Sequence, residues 1–216
     1  MGKAADIIIA QAVARKGTLI AMATHGRSGL RRWLLGSVAE KVLRLAGSHV
    51  MLARPTEAVE TRGLCALKSI LVTLDGSRLA ESALPCAVAL AKKMDLEVTL
   101  LRVYALPVSA YLASEERAWN YVQLVEQSRD EARAYLEKKV QELDAAGLKK
   151  VFSLAVEGNA AAEIIELARK SAGTLITMCT HGRSGVGRWL LGSVTERVVR
   201  HGENPVLVVR PAQQRR

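Results

Sequence analysis

The sequence predicts an α/β fold: a doubly wound parallel sheet of five strands with helices on both faces, preceded by a partial copy of the same unit. Three observations predict it. Short, near-continuous apolar runs alternate with longer segments of helical periodicity, the pattern of strands covered on both faces by helices. A glycine-rich stretch, "THGRSGLRRWLLGSV" at Thr24–Val38, returns almost unchanged as "THGRSGVGRWLLGSV" at Thr180–Val194. The match also extends beyond the loop: Gly2–Pro55 laid over Gly158–Pro211, an offset of 156 residues, gives about 30 identities in 54 positions. That period is too long for a solenoid repeat and suits one whole small domain.

The complete unit, residues 67–212, reads in order as follows. "KSILVTLD" is a buried strand, and "SRLAESALPCAVALAKKM" is a single amphipathic helix. "LEVTLLRVY" is the second strand; after a loop around Pro107 comes a long helix, Glu115 to Ala146, ended by Gly147. A strand "KKVFSLAVEG", a helix "AAAEIIELARKS", a strand "GTLITMCT", the glycine loop, a helix from Ser193 and a strand "PVLVVR" complete it. This βαβαβαβαβ order is Rossmann-like, and such sheets bind ligands beyond the carboxyl ends of their strands, where the chain direction switches. Residues 1–57 supply only the latter half of a first unit, with strands "GTLIAMAT" and "HVMLAR"; 58–66 read as a linker and 213–216 as a basic tail. The counterpart of the first strand would fall about 90 residues before Met1, so a truncation or gene-prediction artefact of a longer tandem protein is expected. The edge of "GTLIAMAT" would then lie open.

Composition narrows the function classes. No run approaches the ~18 apolar residues of a membrane span, and "MGKAADIII" lacks the layout of a signal peptide. Cys65, Cys86 and Cys179 are odd in number and unrelated in spacing, fitting neither a disulfide framework nor a metal site. No metal ligands are expected, and the cytoplasm is the default compartment. The net charge of +10 raises nucleic-acid binding. However, the basic residues come in scattered pairs and aromatics make up only 4%, so stacking platforms are scarce.

The glycine loop joins a strand to a helix, the context in which such a motif carries weight. "GSVTE" reads as a capping box with Ser193 at the N-cap and Glu196 three residues on; Ser37 and Glu40 repeat it. A helix N-terminus offers unpaired amides and partial positive charge to a phosphate. Gly182 and Gly192 permit close backbone approach, Ser193 offers a hydroxyl, and Arg183 or Arg188 a charge-assisted contact. The alternative is that the glycines serve tight turns and Ser193 merely caps its helix. Asp75, at the carboxyl end of "LVTLDGS", is placed to accept from a ribose or a base, with Ser77 or Asp75 itself capping the next helix.

"ILVTLDGS", "LLRV", "THGRSG" and "LLGSV" ending in "VLVVRP" together resemble the universal stress protein family in its tandem form. The resemblance covers Leu67–Pro211 and the latter half of a further domain in Gly2–Pro55. It implies an ATP-binding regulatory or stress-response module with at most slow hydrolysis, ATP or another adenine nucleotide as ligand, and Mg as the accompanying ion. The family's loop reads G-x-x-G, nine residues, then G-[ST]; Gly182, Arg183–Leu191 and Gly192–Ser193 match its latter part. The first glycine of that pattern falls on Cys179 here, and on Ala23 in the first copy. By this resemblance Thr73, Asp75 and Val103 take base and ribose, and Gly182, Arg183, Gly192, Ser193, Val194 and Thr195 take the phosphates, beside Cys179. The first copy keeps Gly26, Arg27, Gly36 and Ser37 but has no counterpart of Asp75 or Val103, an incomplete second site. The resemblance also implies pairing, within the chain or in a homodimer, along the last strands, Val50–Arg54 and Val206–Arg210. The rival reading is an interaction protein of the same fold that binds no nucleotide. No catalytic residue is expected: His25 and His181 read as shaping the loops, and Trp33 and Trp189 as packing.

Overall fold

The computed structural model of the chain describes residues 3–15, 17–24, 35–54, 66–105, 117–180 and 191–211. The first copy contributes α1 (Ala4–Ala14), β1 (Leu19–Ala23), α2 (Ser37–Leu45) and β2 (His49–Ala53). Residues 66–211 follow with β3 (Ser69–Thr73), α3 (Arg78–Glu81), α4 (Leu84–Met94), β4 (Glu97–Tyr104), α5 (Arg117–Ala145), β5 (Val151–Glu157), α6 (Ala160–Arg169), β6 (Thr174–Cys179), α7 (Ser193–His201) and β7 (Val206–Val209).

All seven strands form one sheet in the order β1-β2-β7-β6-β3-β4-β5. The five strands β3–β7 are parallel throughout, and β1 is parallel to β2. Only β2 and β7 run antiparallel. The expectation of a five-stranded sheet is therefore corrected to a mixed sheet of seven. The reason is physical: "HVMLA" and "VLVV" each present a strand edge that would otherwise stand open, and each closes the other.

That seam is self-complementary. Val50 faces Val208, Met51 faces Leu207 and Leu52 faces Val206. Met51 and Leu207 are equivalent positions of the repeat, so the pairing is isologous about them. Side chains follow the same symmetry. The Arg54 guanidinium donates to the carbonyls of Val199 and Arg200 at the end of α7. Its equivalent, Arg210, donates to those of Leu43 and Arg44 at the end of α2. Each arginine thus satisfies terminal carbonyls of the other copy's helix, where a cation is also favoured by the dipole. Burial pushes both guanidinium groups below their ordinary pKa. The ion pair Glu40–Arg200, at 3.5 Å, crosses the same boundary.

One feature of the seam titrates. His49 Nδ1 accepts from the Arg210 amide at 3.1 Å, and burial lowers the pKa of His49. A base whose folded pKa lies below its unfolded value binds fewer protons when folded, so stability rises with pH in that window. The contribution is present above the unfolded value of about 6.5 and is lost as pH falls below it. Melting temperature is expected to drop between pH 7.5 and pH 5.5, and the drop to shrink in His49→Gln. An equal drop in both proteins would contradict the assignment.

Two cores lie on the two faces of the sheet. On one, α1, α2, α6 and α7 pack a continuous cluster that runs from Ile20, Val50 and Leu52 to Ile176, Met178, Val206 and Val208, across both copies. On the other, α3, α4 and α5 cover Ile70, Val72, Val98, Leu100, Leu175 and Leu207. The single helix expected from "SRLAESALPCAVALAKKM" is instead two, with a turn at Ser82 and Ala83. Pro85 explains this: it has no amide to donate to the carbonyl of Glu81, and it is tolerated in the first turn of α4, where it stands. Tyr135 of α5 donates to Glu81 at 3.0 Å beneath Arg102, whose guanidinium lies 4.9 Å from the ring centre, and so ties α5 to α3 and β4. Beyond α5, Gly147 takes φ +85, a left-handed conformation that suits glycine after a helix.

Candidate nucleotide-binding site

β3 is the switch point of the parallel strands β3–β7: the chain leaves it for β4 on one side and returns as β6 on the other. A cavity of about 280 Å³ opens there, at the carboxyl ends of these strands. Small-molecule sites run from about 300 Å³ upward, so the cavity is near the lower end of that range. Thr73 and Asp75 from the end of β3, Val103 from β4, Cys179 from the end of β6, and Gly192, Ser193, Val194 and Thr195 at the start of α7 all line it. The structure thus brings together eight of the residues singled out from sequence. Gly182 and Arg183 lie outside the described residues, as do Gly26, Arg27, Arg188, both loop histidines and Trp33 and Trp189.

Asp75 sits in the wall with part of its carboxylate engaged. Its Oδ1 accepts from the Ser77 amide at 2.9 Å and from the Ser77 hydroxyl at 2.6 Å. Ser77 Oγ in turn accepts from the Ala80 amide at 3.1 Å as N-cap of α3. Capping falls to Ser77, and Asp75 is fixed by the same turn at the edge of the cavity.

The capping box expected in the glycine loops is corrected. Gly192, not Ser193, is the N-cap of α7: its φ of −61° and ψ of 145° are extended, and its carbonyl accepts from the Glu196 amide at 2.8 Å. Ser193 is the first helical residue, exposed, with its hydroxyl making no capping bond. Glu196 reaches forward instead, to Arg200 Nε at 3.0 Å. An arginine four residues on, toward the helix C-terminus, competes effectively for a glutamate. The first copy repeats this geometry, with Gly36 as the N-cap of α2, Ser37 as its first residue and Glu40 paired to Arg44.

The consequence for ligand chemistry is direct. The Gly192 amide is spent on the Thr180 carbonyl at 2.8 Å, but those of Ser193, Val194 and Thr195 precede any intrahelical acceptor. They offer three donors and the positive end of the helix dipole at the cavity wall. Thr195 takes a different part from the one its motif suggests. Its hydroxyl, 3% exposed, donates to the Cys179 carbonyl at 2.9 Å and pins the start of α7 to the end of β6. Its backbone amide, not its side chain, is what it can offer a phosphate.

Sequence reasoning missed the apolar walls. Leu74, Ala80, Leu101, Ala160, Ile164 and Met178 also line the cavity. Ala160 carried a usable signal: it opens α6 directly after Gly158 and the N-cap Asn159, so a second helix N-terminus borders the site. Among the described residues, no group of three or more His, Cys, Asp and Glu side chains could hold a metal ion, and no helix is long and apolar enough to cross a membrane.

Comparison with known proteins shows the family and the fold. The sequence matches the universal stress protein family over residues 1–54 and 66–210. Universal stress protein MJ0531 of Methanocaldococcus jannaschii is 35% identical over 145 residues, 66% of this chain and 82% of that protein. The putative universal stress protein SERP1273 of Staphylococcus epidermidis is 34% identical over 144 residues, 66% of this chain and 84% of its own length. Among solved structures, hypothetical protein MJ0577 is 33% identical with a TM-score of 0.57, over 68% of this chain and 98% of that one. A protein of unknown function from Pseudomonas aeruginosa PAO1, PA1789, shares the fold over 98% of this chain and 69% of its own, with a TM-score of 0.70 at 20% identity.

Proposed function

The chain belongs to the universal stress protein family, and from that premise we propose that residues 67–212 form a regulatory module that binds an adenine nucleotide such as ATP. The observation that carries the proposal is the convergence of Asp75 and the α7 amides on one cavity at the switch point of the sheet. In this reading Thr73, Asp75 and Val103 hold base and ribose, the Asp75 carboxylate accepting from a sugar hydroxyl. The amides and hydroxyl at Ser193–Thr195, with Gly182 and Arg183 of the loop, hold the phosphates. Mg would accompany the phosphates as counter-ion. Asp75 is the one carboxylate lining the described cavity and is tied into the Ser77 turn. This favours binding over efficient hydrolysis, which needs a base positioned on the attacking water.

The same proposal divides the chain into tandem units, the first represented in residues 1–57 by its latter half alone. The matching bonds at the ends of the two loops support this: the Gly36 amide donates to the Thr24 carbonyl at 2.9 Å as the Gly192 amide donates to that of Thr180. The first loop is then an incomplete site, since among the described residues no strand lies on the outer side of β1 to bring a partner for Ser37. A second reading, an interaction protein that binds no nucleotide, draws its support from the reciprocal arginine seam.

Asp75→Asn separates the two. Asparagine keeps the side-chain oxygen that Ser77 needs and removes only the charge. ATP affinity is expected to fall about tenfold, or 1.4 kcal/mol, with melting temperature little changed. ATP binding that Asp75→Asn leaves intact would argue against this site, and no ATP binding by either protein would favour the interaction reading.

A further inference from the structure

The seam between β2 and β7 closes two strand edges inside the chain. β5 ends the sheet on the far side, paired with β4 alone among the described residues. Two bonds fix the direction of its backbone groups. The Val98 amide donates to the Lys150 carbonyl at 2.9 Å, and the Gly158 amide donates to the Tyr104 carbonyl at 3.0 Å. The even-numbered residues of β5 therefore bond to β4, and the amides and carbonyls of Val151, Ser153, Ala155 and Glu157 point outward. Side chains alternate as well. Val151 and Ala155 pack into the cluster under α5, while Phe152 and Leu154 lie on the opposite face, 55% and 37% exposed. From Val151 to Val156 the strand carries no charge and no proline, the devices that usually protect an edge.

We propose that the outer edge of β5 docks the β5 edge of a second copy of this chain, antiparallel about a two-fold axis at Ser153. Charge identifies both the occupant and the register. Lys149 and Glu157 are exposed and stand four residues to either side of Ser153. The two-fold sets each Lys149 opposite Glu157 of the second copy, so one ion pair closes each end of the ladder. A register centred on Leu154 would instead set Lys150 against Gly158 and Glu157 against Val151, with no ion pair. About Ser153, the outward groups of Ser153 meet their own equivalents and those of Val151 meet Ala155, as hydrogen-bonded pairs. Phe152 and Leu154 then face each other as non-hydrogen-bonded pairs, where side chains approach most closely. Lys149 holds Asp144 at 3.1 Å within its own chain, but both groups are more than half exposed. Exchanging that pair for Glu157 costs little. An edge of this length makes a small, transient interface, and it is independent of nucleotide binding at Ser193.

Sedimentation velocity of the full chain over a concentration series, at low salt so that the end pairs are not screened, tests the proposal. A monomer–dimer equilibrium with a Kd below about 100 µM is expected. Phe152→Lys is expected to weaken it at least about tenfold, with an unchanged melt because that side chain is exposed. Lys149→Glu and Glu157→Lys each set like charges opposite one another at both ends of the ladder. Each alone is expected to weaken the dimer by a similar factor. Mixed in equal amounts, the two variants are expected to restore it, because every opposing pair across the mixed dimer again has opposite sign. A misfolded variant would not be repaired by the other, so restoration reports the antiparallel two-fold pairing itself. A monomer at every concentration up to about 200 µM overturns the proposal. So does a dimer that all these changes leave intact, or single variants that the mixture fails to rescue.

Discussion

Gly192→Val is expected to lower ATP affinity on the order of 100-fold, about 2.8 kcal/mol, whereas Gly36→Val leaves it unchanged. The repeat makes these two substitutions a matched pair. Both glycines are N-caps with almost the same backbone angles, and both donate to a threonine carbonyl, at 2.8 Å for Gly192 and 2.9 Å for Gly36. A Cβ at Gly36 would stand 3.1 Å from the Thr24 carbonyl oxygen, tighter than ordinary contact, and the same crowding follows at Gly192 by equivalence. A branched side chain there pushes the loop from the strand end and intrudes where a phosphate would meet the α7 amides. Thermal melts should show similar destabilisation in both variants, so any difference in calorimetric affinity reports the site and not the fold. Equal loss of affinity in the two would place the ligand elsewhere.

Leu207→Ala is expected to have the largest effect on stability, about 2–5 kcal/mol. Leu207 is 0% exposed, belongs to the core under α4 and α5, and faces Met51 at the centre of the seam. Truncation leaves a cavity that the flanking strands are poorly able to close, because both faces of the sheet are already packed. The cluster on the opposite face runs unbroken through both copies, so urea unfolding should remain a single transition with a lowered midpoint. Two resolved transitions in the unmodified protein would mean that the copies fold separately and that the seam contributes little.

How much of this was legible in the sequence varies by residue, for physical reasons. The parallel order of β3–β7 and the placing of Asp75 and Ser193 on one cavity were legible because strand alternation and a switch point leave few topologies. The pairing of β2 with β7 could not be read from periodicity alone. "VLVV" signals burial on both faces without saying which strand lies beside it. The capping error at Ser193 has a similar origin: glycine followed by serine fits an N-cap at either position, and only the extended ψ of Gly192 decides it. Met178, Ile164 and Leu101 went unseen as cavity walls because an apolar strand or helix residue reads as core whether it meets another side chain or a ligand. Pro85 was visible in the sequence and its break in the helix was still missed, since the apolar spacing continues through it.

The most direct measurement of the central claim is a calorimetric titration of the unmodified chain with ATP in the presence of Mg. The account predicts saturable binding with one nucleotide per chain, held by the complete unit around Asp75 and Ser193. Absence of binding would contradict it, and two equivalent nucleotides per chain would contradict the single complete site.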